Sequence, residues 1–341
     1  MNTFYQDIFE QPQALQHLLE YYLQGEGTEG LAAISNDGSP IFTGMGASFH
    51  AAWVTALYLH SLGHTALHLE ASDLLNYSVA ICNNNIQLVY ISQSGASAEV
   101  APILNNLLSS VRLVAITNEA HSPLARRAQL TLPLLVESEV GVASKTYLNS
   151  LAILWLLARR WGGVWNGREF DLLARVVDEI QQLLEQAGDI AACWLDAIGQ
   201  VETLLFVGHG PHAATARQAA MMLGEWAKFA APSASVGAFR HGFIESAGPE
   251  MGVVLFAAPG RTQQSSLTLA AELQEYGVRV LVVESGHTRS ISAPSRQKSL
   301  SDEFLSPLLD IIPAQLFAEA LRQQRGISPE FRYIAKVVTQ L

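Results

Sequence analysis

The feature that most constrains the fold of this chain is an internal repeat. The stretch FTGMGASFHAA at 42–52 is similar to FVGHGPHAATA at 206–216, which places the two copies 164 residues apart. LVYISQSG at 88–95 is similar to VVLFAAPG at 253–260, at a spacing of 165 residues, and LVAIT at 113–117 has a counterpart in VLVVE at 280–284. A nearly constant spacing between similar segments indicates that one domain has been duplicated.

Within each copy, apolar strand-like segments alternate with helical ones. Continuous apolar runs such as IQLVYISQS at 86–94 and VRLVAIT at 111–117 predict buried strands. The segments SFHAAWVTALYLHSL at 48–62 and VASKTYLNSLAILWLLARRW at 142–161 predict helices. Such alternation implies parallel sheets with right-handed crossovers. We therefore predict an α/β fold of two tandem, doubly wound α/β/α domains.

The repeat also suggests where the parts of the chain begin and end. We predict an N-terminal helical segment at 1–34, in which GEGTEG at 25–30 is a polar turn. A first, phosphate-binding domain covers 35–165, a linking helix lies within 166–200, and a second domain with a C-terminal tail covers 201–341. The polar, serine-rich stretch at 286–303 predicts an irregular loop.

Composition and charge exclude several classes of partner. The formal net charge is −11, which argues against a nucleic-acid partner because phosphate neutralisation needs a basic face. It does not argue against a small anionic ligand. Cys82 and Cys193 lack metal-ligand spacing, and no cluster of His, Cys and carboxylates has it, so we expect no metal. We also expect no cofactor. No signal peptide precedes the first helix and no apolar run is long enough to span a bilayer, so we expect a cytoplasmic protein without a membrane partner.

A hydroxyl-rich turn follows one predicted strand of the first copy. Ser92, Gln93, Ser94 and Ser97 surround Gly95, whereas the second copy reads Ala257-Ala258-Pro259-Gly260 at the same place. A strand-to-helix turn directs free backbone N–H groups toward the crevice, and the serines add donors. The alternative is that these serines only cap helices.

A second turn of the first copy contains Ser48, in GMGAS at 44–48. Ligands of open α/β sheets bind at the carboxyl ends of the strands, where both turns are expected. GMGAS is not a dinucleotide fingerprint, because Phe49 stands where that motif needs its third glycine. The two turns together favour an anion site.

Several motifs together resemble the sugar-isomerase (SIS) family. They are GMGAS at 44–48, SQSG at 92–95, GVAS at 141–144, GEWAKF at 224–229, RHG at 240–242 and AK at 335–336. The resemblance covers roughly residues 35–341. It is strongest to the tandem-domain branch that contains the isomerase half of glucosamine-6-phosphate synthase and the amino-sugar phosphate deaminases and deglycases.

The resemblance implies a role for each matching residue. The residues that would hold the sugar phosphate are Ser48, Ser92, Gln93, Ser94 and Ser97. Those that would line the sugar are Val142 and Ser144. Glu225 would carry a proton between C1 and C2, and His241 would assist ring opening from a neighbouring subunit, which implies a homodimer. Lys336 would contact the sugar carbonyl.

The residues alone leave alternatives open for the catalytic positions. A carboxylate at Glu225 is also typical of a helix face paired with Lys228 or Arg217. His241 is also typical of a solvated loop histidine, and Lys336 of an exposed tail. Other histidines compete for the role of acid: His50, His209 and His212.

The chain also departs from the family pattern. The lysines that precede the matching glutamate in the synthases are replaced by Met222 and Gly224, and Phe243 follows Gly242 where proline is usual. We find no glutamine-hydrolysing domain in the sequence, so we do not expect synthesis of glucosamine 6-phosphate from glutamine.

Proton transfer at C1 and C2 of a phosphorylated sugar or amino sugar fits better. The expected enzyme is an isomerase, a deaminase or a deglycase. The alternatives are a non-catalytic sugar-phosphate sensor and a helper that regulates another enzyme. The chain shows no basic recognition helix of the kind that such sensors carry, and this favours the enzyme.

Overall fold

The computed structural model describes residues 3–83, 85–290, 302–333 and 338. The helices of this part of the chain are α1 (Phe4–Phe9), α2 (Gln11–Tyr22), α3 (Gly25–Ala32), α4 (Ala47–Ser61), α5 (Ala71–Asp73), α6 (Val100–Asn106), α7 (Pro123–Arg127), α8 (Lys145–Trp161), α9 (Glu169–Glu185), α10 (Ala187–Ile198), α11 (Pro211–Trp226), α12 (Val236–Arg240), α13 (Gln263–Glu275) and α14 (Ser306–Gln324). The strands are β1 (Ser39–Gly44), β2 (Leu67–Glu70), β3 (Ile86–Ile91), β4 (Arg112–Thr117), β5 (Leu130–Pro133), β6 (Thr203–Gly208), β7 (Ser233–Ser235), β8 (Met251–Phe256), β9 (Arg279–Glu284) and β10 (His287–Arg289). None of the described helices is long and apolar enough to cross a membrane.

The chain divides into two compact units. The N-terminal unit consists of Glu10–Glu139, Ala143–Val177 and Phe331–Leu341. The C-terminal unit consists of Asp178–Glu330 together with Met1–Phe9 and Val140–Val142. Helix α1 and the short segment 140–142 therefore belong to the unit that holds the second repeat, although both lie early in the sequence.

The sheet of the N-terminal unit is entirely parallel, in the order β2-β1-β3-β4-β5. Leu88 and Tyr90 of β3 join a cluster with residues of α5, α6 and α7. Val89 and Ile91 point to the opposite face of the sheet, as strand geometry requires, and are also buried. Burial on both faces explains why β3 is a continuous apolar run, and it confirms the doubly wound fold.

The sheet of the C-terminal unit repeats the same order, β7-β6-β8-β9-β10. Its first four strands are parallel, and β10 is antiparallel to β9. The duplication predicted from the sequence is thus confirmed, with a mixed second sheet. The prediction of a loop throughout 286–303 was wrong at its start, because His287–Arg289 is a strand.

Two further predictions of local structure were wrong. GEGTEG at 25–30 is not a turn but most of α3. There the absence of a side chain at Gly27 matters, since a Cβ atom would lie 2.8 Å from Cδ1 of Tyr21. The single helix expected in the linking region is two helices, α9 and α10, which are separated at Gln186.

Candidate functional site

The predicted phosphate residues lie where the order of the first sheet reverses direction. Strands β1 and β3 are neighbours at the centre, and the chain leaves them for opposite sides of the sheet. Ligands of open α/β sheets bind at such a switch point, outside the carboxyl ends of the strands. Ser48 follows β1 and lies in the first turn of α4, while Ser92 directly follows β3.

A glycine brings these two turns together. A Cβ atom on Gly44 would lie 2.8 Å from the carbonyl oxygen of Ile91 and 2.8 Å from the Cβ of Ser48. Only a residue without a side chain therefore fits between the start of α4 and the end of β3. Ser48 consequently approaches the serine-rich turn that begins at Ser92.

The turn at 92–97 is held by backbone hydrogen bonds from the neighbouring strand. The carbonyl of Gln93 accepts from the N–H of Asn118 at 2.9 Å and from the hydroxyl of Thr117 at 3.2 Å. The carbonyl of Gly95 accepts from the N–H of Leu124 at 3.2 Å. Both carbonyls thus accept from the end of β4 or from the segment after it, and these bonds fix the turn.

Gly95 is required at the apex of this turn. Its φ is +58°, in the left-handed region, and a Cβ atom there would lie 2.1 Å from Oγ of Ser122 and 2.9 Å from Oγ1 of Thr117. Backbone conformation and packing both exclude a side chain at this position.

The serines of the two turns do not cap helices. The N-cap residue of α4 is Gly46 and that of α6 is Glu99, and neither helix has a side-chain cap bond. To the residues that the structure describes, the hydroxyls of Ser48, Ser92 and Ser94 donate no hydrogen bond. The capping alternative is therefore wrong, and these donors are available to a ligand.

Helix α6 contributes less to anion binding at the hydroxyl-rich turn than the sequence suggested. It begins at Val100, three residues after Ser97, and has only seven residues. The field of a helix acts within its first turn, so it reaches the centre of the hydroxyl-rich turn weakly. Hydroxyls and turn amides provide most of the capacity to bind an anion.

The equivalent turn of the second repeat is filled by a carboxylate of the protein itself. Oε2 of Glu303 accepts from the N–H of Arg261 at 2.6 Å. Gly260 has no space for a side chain, because a Cβ atom would lie 2.0 Å from the same oxygen. Ala257 and Ala258 are buried and offer no hydroxyl. A phosphate at this turn would be repelled by the carboxylate of Glu303, which already occupies the position.

The predicted sugar-lining residues are shielded from solvent. Val142 is buried, and Ser144 is fully buried at the start of α8. The N–H and hydroxyl of Ser144 both donate to Oε1 of Glu139, at 2.9 and 3.2 Å. Glu139 also accepts from the hydroxyl of Thr146 at 2.7 Å. Glu139 was not among the residues predicted from the sequence. A carboxylate five residues before Ser144, close enough in the chain to bond its hydroxyl, is the signal that could have indicated it.

Glu225 occupies the last turn of α11, in the C-terminal unit. Burial raises the pKa of its carboxyl group, and the charge of Lys228 opposes this rise. The amine of Lys228 donates at 2.5 Å to the backbone carbonyl of Glu225. No described residue donates a hydrogen bond to the carboxylate itself. A partly desolvated carboxyl group with a raised pKa is better suited to take up and return a proton than a fully solvated one.

Exposure separates His241 from its competitors. His241 follows α12 and is exposed, whereas His50 and His212 are buried. Burial lowers the pKa of His212 to about 3, so its ring is neutral. His209 is half-buried, with Nδ1 3.0 Å from Oγ of Ser265. Across the described ranges, no group of three or more His, Cys, Asp or Glu side chains is arranged to hold a metal ion.

Lys336, which was predicted to contact the sugar carbonyl, lies outside the described part of the chain. Val338 is described, and its carbonyl accepts from the N–H of Ala98 at 3.0 Å. Ala98 directly follows Ser97. Val338 therefore lies beside the end of the hydroxyl-rich turn within the N-terminal unit.

Comparison with known proteins confirms the resemblance drawn from the motifs. The family model described as SIS domain matches residues 33–160 and 197–320. Glutamine–fructose-6-phosphate aminotransferase (isomerizing) of Methanothermobacter thermautotrophicus is 28% identical over 98% of this chain, and that of Pyrococcus horikoshii is 29% identical over 98%. The chain spans 56% and 57% of the length of these two relatives.

Solved structures share the same fold. The C-terminal domain of glucosamine-fructose-6-phosphate aminotransferase from Francisella tularensis has a TM-score of 0.83 and 18% identity, over 96% of this chain and 98% of that one. Glucosamine-6-phosphate deaminase from Thermotoga maritima has a TM-score of 0.79 and 20% identity, over 97% and 99%. At these identities the likeness shows the fold alone.

We predict that alanine is more costly at Gly95 than at Gly63. Gly63 also has a positive φ, +86°, but nothing lies within 4 Å of its added Cβ. Gly63→Ala should lower the free energy of unfolding by about 1 kcal/mol, through backbone strain alone. Gly95→Ala should cost about 1–3 kcal/mol more, because it overpacks Ser122 and Thr117. Denaturant titration measures both, and equal costs would refute the close packing of this turn.

We predict that Glu225→Gln stabilises the protein at neutral pH. The folded pKa of Glu225 lies above the unfolded value of about 4.3, so the folded state holds its proton more tightly. The free energy of unfolding of the wild type therefore falls as pH rises from the unfolded pKa through the folded pKa of Glu225. The glutamine variant has no proton to lose there, so it avoids this fall. The difference should vanish at pH 4 and below. Glu202→Gln, at an exposed position beside β6, is the control; denaturant midpoints that show no pH-dependent gain for Glu225→Gln would contradict the assignment.

Proposed function

The chain belongs to the SIS domain family, and we propose that it binds a phosphorylated sugar or amino sugar and transfers a proton between C1 and C2. The observation that carries this proposal is the pair of hydroxyl-rich turns, in which the hydroxyls of Ser48, Ser92 and Ser94 neither cap a helix nor donate to any residue that the structure describes. Their place at the switch point of a doubly wound sheet supports a small-ligand site. The names of several relatives include amino-sugar and sugar phosphates, which agrees with this ligand class.

We assign phosphate binding to the hydroxyl-rich turns of the N-terminal unit. Ser48, Ser92 and Ser94 would donate to the phosphate oxygens, and Gln93 and Ser97 would complete the contact. Neutral donors are sufficient for this task, because a phosphate accepts several short hydrogen bonds. The net charge of the chain is −11, so the field of the whole protein does not attract anions. Binding of a phosphate must therefore rest on local hydrogen bonds of this kind.

We assign proton transfer to Glu225. An aldose–ketose conversion needs one base that removes a proton from a carbon beside the carbonyl and returns it to the adjacent carbon. A carboxyl group whose pKa is raised by burial suits both steps better than an ordinary carboxylate, because it is a stronger base for the proton that it must carry. Val142 and Ser144 would hold the sugar, and Lys336 would contact its carbonyl.

We assign ring opening to His241, acting on the site of a neighbouring subunit. Its exposure in the single chain supports this role, because an exposed imidazole can complete a site elsewhere. The proposal therefore includes a homodimer. When the substrate carries nitrogen at C2 or C1, the same proton transfer would leave a C=N bond at that carbon, and water would hydrolyse this imine to a carbonyl group with release of ammonia or an amine. When the substrate carries no nitrogen there, the outcome would be simple isomerisation.

The test is turnover of three substrates: glucosamine 6-phosphate, fructose 6-phosphate and a phosphorylated fructose–amino-acid adduct. Ammonia, free amine and hexose phosphates are followed together. Wild type should convert at least one substrate, and Glu225→Gln should lower kcat by about 10²–10⁴-fold, the usual contribution of a general base. Glu202→Gln, which removes an exposed carboxylate at the amino end of β6, should leave kcat unchanged.

The phosphate site is tested with the double variant Ser92→Ala and Ser94→Ala. It should weaken binding of the converted substrate about tenfold or more, since two hydrogen bonds to a charged group are lost. Undiminished turnover in Glu225→Gln would remove its catalytic assignment. Tight binding of a sugar phosphate without any turnover would make the chain a sensor and not an enzyme.

A further inference from the structure

Helix α1 carries a buried carboxylate that binds a distant turn. Asp7 is fully buried, and its Oδ2 accepts from the N–H of Val140 at 2.9 Å and from the N–H of Gly141 at 3.1 Å. These amides directly precede Val142. One side chain of α1 thus fixes the backbone at which the GVAS motif begins.

A second side chain of α1 contacts the same turn. Phe4 is fully buried, and a Cβ atom on Gly141 would lie 2.8 Å from the Cβ of Phe4. Glycine at 141 therefore allows α1 to pack directly against the backbone of the turn. The carboxylate of Asp7 and the ring of Phe4 hold this short segment together.

Phe4 also contacts the residue next to the proposed base. Its ring centroid lies 4.9 Å from that of Trp226, at an interplanar angle of 54°. Trp226 is fixed in turn, because its indole N–H donates at 2.6 Å to Oε2 of Glu319. Arg322 donates to both oxygens of the same carboxylate, at 3.0 and 2.8 Å. Trp226 is thus a rigid neighbour of Glu225.

All these contacts lie within the C-terminal unit, to which α1 and the segment 140–142 both belong. The sequence places α1, Val142 and Glu225 far apart, and the fold joins them through six residues of one short helix. Asp7 and Phe4 are both fully buried, whereas Tyr5 and Phe9 of the same helix are exposed.

We propose that α1 is a clamp that sets the position of Val142 relative to Glu225, with Asp7 as its positioning residue. This inference rests on the proposed function, in which Val142 lines the sugar and Glu225 moves its proton. If the two amides lose their acceptor, the turn is free to shift, and the reacting carbons move away from the carboxylate. A displacement of about 1 Å lowers the rate of such a reaction by about 10²-fold.

The clamp predicts a specific kinetic effect. Asp7→Ala should lower kcat by about 10–100-fold. The affinity for inorganic phosphate, which needs only the turn at 92–97, should stay within about twofold of wild type, since that turn belongs to the other unit. Asp7→Asn keeps a carbonyl oxygen of the same shape, so it should restore most of the lost kcat.

The experiment measures kcat, KM, phosphate affinity and thermal stability for wild type, both Asp7 variants and Gln6→Ala. Gln6 is the matched control because it is exposed on the same helix. Hydrogen exchange of the amides at 140–142 reports the turn directly, and it should accelerate in Asp7→Ala and not in Gln6→Ala. Asp7→Asn supplies the same comparison if Asp7→Ala does not fold.

The outcomes separate this inference from the proposed function. A wild-type enzyme that turns over substrate, with Asp7 variants of unchanged kcat, would overturn the clamp and leave the function standing. Phosphate affinity that falls in parallel with kcat would also overturn it, because the effect would then be a general loss of structure. A wild-type protein that neither binds nor converts a sugar phosphate would overturn both.

Discussion

The site depends on how the turn after β3 is held. Its carbonyl groups accept from Thr117, Asn118 and Leu124, and Oγ of Ser94 accepts from the N–H of Ala96 at 3.3 Å, so the turn is held without using the hydroxyl hydrogens of Ser92 and Ser94. Gly95 makes this possible, because any larger residue would collide with Ser122. The turn thus has a fixed backbone, and the hydroxyls of Ser92 and Ser94 donate to no described residue. It is preorganised for a ligand that accepts several hydrogen bonds, which lowers the entropic cost of binding.

The two repeats share one strand order but differ at the turn that we propose for phosphate binding. Both sheets have the same strand order, and both place a glycine at the turn after the third strand. In the second copy the free amide of Arg261 binds the carboxylate of Glu303. The turn of the second copy thus still presents a backbone N–H to an anion, but this anion is the carboxylate of the protein's own Glu303.

The sequence predicted the central strands well and the sheet edges poorly. Strands such as β3 and β8 are buried on both faces, so their apolar runs are unmistakable. The strands β2, β7 and β10 have three or four residues and are largely half-exposed. SAS and HTR carry no apolar signal, and LHLE alternates apolar and polar residues over only four positions. The serine turn was predictable because its residues are adjacent. Asp7 was not, because the amides that it binds lie 133 and 134 residues away.

The central claim is that the leading repeat, and not its twin, holds the phosphate of the ligand. A crystal structure of the protein with fructose 6-phosphate tests this most directly. We predict phosphate oxygens within hydrogen-bond distance of the hydroxyls of Ser48, Ser92 and Ser94, with Glu303 still bound to the amide of Arg261. A phosphate seated at Arg261 with Glu303 displaced, or one that contacts neither turn, would contradict the account.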